Sequence, residues 1–222
     1  MIIICILIAA VICLAVWQRD NISAVMSGLK YSDEDIQQQI DTSKKDVETE
    51  LEKYNVSGLR DFTFEEEEAI RKGQLTVEEA VEKILSESGN QQSAGGESSS
   101  QSTGRENVSS SDDSSAIVSE YTIKLYSLKA EYLGQIGNLI DQAKADYKNG
   151  MSAGTLMSTY LGKAASLESE ADSQVEALLS ELKGKLEAVG ADISIISTMR
   201  SSYENEKTLK KSYYLSLFNK KK

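Results

Sequence analysis

Residues 156–189 read LMSTYLGKAASLESEADSQVEALLSELKGKLEAV, and this stretch decides the fold. Its apolar positions are Leu156, Tyr160, Ala164, Leu167, Ala171, Val175, Leu178, Leu182, Leu186 and Val189, with steps of 4, 4 and 3 repeated three times. Steps of three and four put side chains on one face of an α-helix, whereas a strand would alternate at every second residue. An eleven-residue repeat, about 3.67 residues per turn, predicts straight or slightly right-handed packing rather than a left-handed heptad coil. Gly190 supplies the stop.

The flanking segments carry the same signal. Upstream, Tyr121, Leu125, Leu128, Tyr132, Ile136, Leu139, Ala143 and Tyr147 form a helical stripe that ends at Asn149-Gly150. Downstream, Asp192 or a neighbour starts a third helix. Its stripe opens with Ile193, Ile196, Met199 and Tyr203, is interrupted by Glu206 and Lys210, and resumes at Tyr213, Leu217 and Phe218. Three helices of about 30 residues with short loops predict an antiparallel three-helix bundle over 116–222, roughly 45–50 Å long.

Composition agrees. The 222 residues include no proline and no histidine, and both cysteines, Cys5 and Cys13, lie in an apolar run at the start. Proline breaks helix interiors, so its absence fits an all-α chain with long helices. Without thiol or imidazole after Trp17, the remainder lacks disulfides, Cys/His zinc sites, thiol nucleophiles and Ser-His-Asp triads. The net charge is −11. It divides into −8 over 18–86, −4 over 87–115 and +1 over 116–222. No concentrated basic surface is available to neutralise phosphates, which argues against nucleic acid as a partner.

Met1 to Trp17 is one apolar stretch without a charged side chain. As a helix it spans roughly 25 Å, the short end of what crosses a hydrocarbon core of about 30 Å. Trp17 and Arg19 then mark a membrane interface, an indole followed by charge. A cleaved signal peptide is the rival reading, but a basic start and small residues before a cleavage point are lacking. The expectation is a single-pass anchor at 1–17 followed by a juxtamembrane segment at 18–31. Arg19 and Lys30 favour a cytoplasmic body by the positive-inside rule. The long Ser/Gly/Gln segment favours the opposite side, and the body is expected to be extracytoplasmic.

Residues 32–86 form an acidic helical segment with three written starts. Ser32 precedes Asp35, Thr63 precedes Glu66 and Thr76 precedes Glu79, each three residues apart as in a capping box. The first helix carries Ile36, Ile40, Val47, Leu51 and Tyr54 on one face and should stop near Gly58. Glu65 to Glu68 open the second as a solvated first turn, and Gly73 ends it. The third carries Ala80, Val81, Ile84 and Leu85. With so few apolar residues, this segment has little core of its own. Residues 87–115 collapse to Ser, Gly, Gln, Asn and acids, and are expected to be a disordered linker. As a flexible coil, Gly89–Ser115 would span roughly 29 Å.

Chemistry-bearing patterns are few. The glutamate run has no Asp-x-Asp-x-Asp-Gly loop, so it does not read as a calcium site. Asp33 and Asp35 occupy a helix start rather than a cleft. Gly95-Gly96 lacks the Lys-Ser/Thr of a phosphate loop. No catalytic, cofactor-binding or metal-ligating residue is expected, and the chain does not read as an enzyme. Tyr121, Tyr132, Tyr147 and Tyr160 read as core positions with hydroxyls reaching the bundle edge. Tyr213-Tyr214-Leu215-Ser216-Leu217-Phe218 is too densely apolar for one helix face, so it either sits under other elements of the chain or contacts something outside it, and Tyr213, Tyr214 and Phe218 are the candidate partner contact. Lys220 to Lys222 read as a solvated tail.

The strings Tyr31-Ser32-Asp33-Glu34-Asp35, Glu65 to Ala69 with Leu75-Thr76-Val77-Glu78-Glu79-Ala80, and Tyr203-Glu204-Asn205-Glu206-Lys207 resemble those of uncharacterised, single-pass membrane-anchored helical proteins of anaerobic Gram-positive bacteria. That resemblance implies an outward-facing bacterial protein and transfers no activity or site. The expected function is a non-enzymatic, membrane-anchored scaffold that displays a tethered bundle to a protein or cell-envelope partner. Self-association through the long stripes, or service as an accessory subunit of a membrane complex, are the alternatives.

Overall fold

A computed structural model describes residues 32–88 and 109–219. The side chains of Asp33, Ala153, Met157, Leu161 and residues 109–112 and 211–219 lie outside that description. The described residues form six helices and no strand: α1 Asp33–Lys53, α2 Phe64–Arg71, α3 Val77–Glu87, α4 Ser109–Lys148, α5 Ala153–Ala188 and α6 Ser194–Asn219. The all-α class is as expected.

Local chemistry sets the helix ends. Ser32, Thr63 and Thr76 are N-caps, and in each the side chain accepts from the third helical N–H while that residue's carboxylate accepts from the cap N–H. These reciprocal bonds satisfy orphan donors of the first turn. α2, α4 and α5 end at Gly73, Gly150 and Gly190, all at positive φ. After α5, the Gly190 N–H reaches Glu187 O and the Ala191 N–H reaches Leu186 O, the Schellman pattern. α1 departs from expectation by stopping at Lys53 instead of near Gly58. Asn55 adopts φ 59°, and the Val56 N–H closes back on Leu51 O. Asparagine tolerates the left-handed region well enough to end a helix before glycine is reached.

α4 and α5 form a long antiparallel hairpin. Tyr121 at one end donates to Glu181 (3.3 Å) and Tyr160 at the other donates to Asp146 (2.7 Å). The predicted α5 stripe faces inward, with Leu156, Leu182 and Leu186 fully buried, except that Leu179 takes the core position expected of Leu178, which is only half-buried. α4 starts at Ser109, so residues 109–115 belong to a helix and not to the expected linker. Ser114 is already buried there.

α4 also carries a second buried face that the single-stripe reading missed. Val118, Thr122, Tyr126, Leu133 and Gly137 are buried along it. α2 and α3 cover α4 there, and Phe62 meets Tyr126 with ring centroids 6.1 Å apart. Gly137 admits the backbone of α2 so closely that a Cβ would lie 1.8 Å from Arg71 O.

α6 is the larger surprise. It packs chiefly along α1 and only lightly on α5, so the C-terminal helices do not close on themselves as a three-helix bundle. The α1–α6 pair is antiparallel. Tyr54 donates to Asp192 O, Ser194 to Glu50, and Ser202 to Ser43 O, while Ile36 and Ile40 pack on Leu209. The physical reason is the face α1 presents: its apolar residues need a partner that α2 and α3 are too short to provide. One core cluster therefore draws residues from both sides of the Ser/Gly-rich segment, from Val47 and Leu51 to Ile195 and Met199.

Candidate functional site

Where α1, α2, α4 and α6 converge, the molecule buries charge instead of apolar side chains. Lys44 comes from α1, Asp61 from the loop before α2, Glu67 from α2, Lys129 from α4, and Glu206 and Lys210 from α6. Lys129 Nζ meets Asp61 Oδ2 at 2.7 Å, Glu67 Oε1 at 2.9 Å and Glu206 Oε1 at 2.6 Å. Its three N–H donors thus meet three carboxylates. Lys44 reaches Glu67 Oε1 at 2.9 Å and donates to Phe62 O. Lys210 bridges Glu67 Oε2 at 2.9 Å and Glu206 Oε1 at 2.8 Å. Three positive and three negative groups leave this cluster neutral.

Its electrostatics follow from that balance. Burial alone would raise Glu67, but Lys129, Lys210 and Lys44 overcome it and hold the carboxyl well below the usual range. Glu206 likewise resists burial and lies at about 2, under Lys129 and Lys210. For Lys129 the desolvation penalty is outweighed by Asp61, Glu206 and Glu67, which push it well above its ordinary value. Opposite charges at this range favour the ionised forms of Glu67, Glu206 and Lys129.

A second network ties α2 to α3. Arg60 grips both Glu66 oxygens at 2.8 and 2.9 Å and reaches Glu87 with Nε at 2.8 Å. Lys83 adds a contact to Glu66 at 2.8 Å. The Arg60 hydrogen bonds hold Glu66 at about 2, against the opposing effect of burial. The same carboxylate accepts from the Thr63 N–H in the capping box. The glutamate run is therefore not a solvated turn: Glu66 and Glu67 are buried and engaged, and only Glu65 is exposed. With Thr63 as the N-cap, the first turn of α2 points the neighbouring carboxylates of Glu66 and Glu67 inward, toward cations supplied from other segments.

Chemically, this arrangement is a joint. Every member is held by ion pairs, and among the described residues no group of three or more Asp, Glu, Cys or His could hold a metal ion. Asp35 is committed to its cap, accepting from the Ser32 N–H at 3.0 Å. Tyr121 and Tyr160 are buried with bonded hydroxyls, Tyr147 is half-buried, and the buried Tyr132 hydroxyl has no partner.

Of the candidate contact residues, Tyr213, Tyr214 and Phe218 lie in the α6 backbone, while their side chains are outside the described residues. Trp17, Arg19 and the apolar run at 1–17 are also outside them. Among the described residues no helix is long and apolar enough to cross a membrane. The signal for the buried cluster was present in sequence as charges set into apolar stripes: Lys44 between Ile40 and Val47, Lys129 beside Leu128, and the Glu206/Lys210 interruption of α6. No family model, curated protein or solved structure matches this chain.

Proposed function

We propose that this protein is a non-enzymatic, single-pass membrane scaffold whose rigid helical body is held at the membrane by residues 1–17. The observation that carries this reading is the charge-free run Met1–Trp17 joined to a body whose polar clusters are consumed by structure. The anchor holds the body within a short radius of the bilayer and raises its effective concentration for a nearby envelope partner. Tyr213, Tyr214 and Phe218 are the contact residues of this reading, Trp17 and Arg19 its membrane interface, and the body lies on the extracytoplasmic side. Burial of the α5 stripe against α4 within one chain favours a displayed scaffold over self-association.

Protease shaving of a C-terminal epitope in intact and lysed cells tests the topology. Loss of the epitope from intact cells is expected. Survival until lysis would place the body in the cytoplasm, as the Arg19 and Lys30 count suggests. Extraction of the chain into the aqueous phase at alkaline pH would remove the anchor from the reading altogether.

A further inference from the structure

The outer face of α5, opposite its buried apolar stripe, is shaped for close approach. In steps of three and four, from Gly154, Ser158 and Gly162 through Ser173 to Gly184 and Ala188, every position is Gly, Ser or Ala and exposed. Glycine is unfavourable inside a helix unless something requires it. Nothing within the fold does so here, because a Cβ at Gly154, Gly162 or Gly184 would meet no atom of the described residues within 4 Å. A row of small residues lets a second helix approach to the near end of the usual range of about 8–10 Å between axes.

Midway along the row lies a shallow groove of about 750 Å³, with Ser169, Glu170, Ser173 and Gln174 in its lining. Tyr132 of α4 borders it. This tyrosine is 8% exposed, and its hydroxyl is the buried side-chain polar atom without a partner among the described residues. Glu170 is the charge that acts on it most, which sets the hydroxyl on the Glu170 side of α5, at the edge of the groove. An unpaired buried hydroxyl calls for a polar group, and one arriving in the groove would supply it.

The charges along that edge specify what docks. Lys163, Glu170, Gln174 and Glu181 are exposed and follow one another by 7, 4 and 7 residues, which aligns them on the side of α5 next to α4. Their order is symmetric about residue 172. A two-fold axis there sets Lys163 of each copy against Glu181 of the other, and Glu170 against Gln174. A parallel pairing would instead put Glu170 on Glu170 and Lys163 on Lys163. The small row runs from 154 to 188, so the same axis lays the two rows against each other along their length. The run Met1–Trp17 has no charged side chain to answer this edge.

We infer that two copies of this chain associate through the outer faces of α5, antiparallel, about a two-fold axis near residue 172. The contact is isologous, the usual form of a homodimer. It uses the face opposite the stripe buried against α4, and it goes beyond the scaffold reading without depending on the anchor.

Sedimentation of the full chain in detergent micelles tests the association, with a dimer expected at about 50 μM. Lys163→Glu and Glu181→Lys should each weaken the dimer about tenfold or more, because each sets like charges opposite one another. Both changes in one chain reverse the pair and should restore the dimer to within about threefold of the parent. Circular dichroism of each variant should show the parent's helicity. Disulfide trapping gives a second readout, in a chain carrying Cys5→Ser and Cys13→Ser. There Ser173→Cys lies next to the axis and should link to its own counterpart on mild oxidation. Ser158→Cys, roughly 40 Å from its counterpart, should not. A monomeric full chain, a dimer indifferent to both single charge changes, a double variant no tighter than the singles, or self-linkage at 158 equal to that at 173 each overturns the inference.

Discussion

Lys129 Nζ and Glu206 Oε1 lie 2.6 Å apart although 77 positions separate them in the chain. Lys129 also holds Asp61 and Glu67, so one ammonium connects α4 to the α2 region and to α6. Taking charges out of water is costly, and removing one member of a buried cluster leaves its partners uncompensated. Lys129→Met should therefore lower unfolding free energy by about 3–5 kcal/mol in chemical denaturation. The double variant Lys129→Met/Glu206→Met should lose less than the sum of the single changes, by at least about 1 kcal/mol. Strict additivity would mean that the pair does not interact in solution.

Stability should depend on pH in a defined window. Glu66 and Glu206 lie at about 2 in the folded chain, and Glu67 is also held low. An unfolded glutamate titrates near about 4.3. A depressed folded value contributes stability that is complete above the unfolded value and lost as pH falls through the folded one. Urea midpoints should thus hold steady down to about pH 5 and fall between there and about pH 2. Lys129 works in the opposite sense: its contribution is complete below about 10.4 and is lost as pH rises past its raised folded value. A midpoint unchanged between neutral pH and pH 3 would contradict the paired-carboxylate assignment.

Two glycines of α4 should respond oppositely to the same change. A Cβ at Gly137 would lie 1.8 Å from the Arg71 carbonyl oxygen, a backbone atom that cannot rotate away. Gly137→Ala should cost about 1–3 kcal/mol as α2 is pushed off α4. At Gly134 nothing lies within 4 Å, and Gly134→Ala should stabilise the helix by about 0.5–1 kcal/mol. Thermal melts of the two variants, compared with the parent, would show both signs at once.

The shared core can be probed at α5. Leu186 is fully buried, and Leu186→Ala should cost about 2–5 kcal/mol. Ile193, the most exposed large apolar residue among those described, should tolerate Ala within about 0.5 kcal/mol. Because α1, α2 and α3 share one core with α4 and α5, Leu186→Ala should also increase amide exchange in Val47 to Tyr54. Exchange confined to α4, α5 and α6 would instead mean that the acidic segment folds independently.

Helix by helix, much of this was legible from residue order. The three capping boxes, the stops at Gly73, Gly150 and Gly190, and the 4-4-3 stripe of α5 depend on neighbours three or four residues away, so local spacing suffices to read them. The early end of α1 at Asn55 was a local feature too, hidden because glycine is the commoner left-handed residue.

Only the tertiary structure decided which face meets which. α4 is buried on two sides, and its second stripe of Val118, Thr122, Tyr126 and Leu133 has a period no different from the first. Nothing in residue order states that α6 will take α1 as its main partner. The buried charges show why. Glu67 and Glu206 look like surface acids in sequence, since burial is unfavourable for either one alone. It becomes tolerable when lysines from α1, α4 and α6 arrive together, and that coincidence is a property of three-dimensional packing that spacing along one helix does not encode.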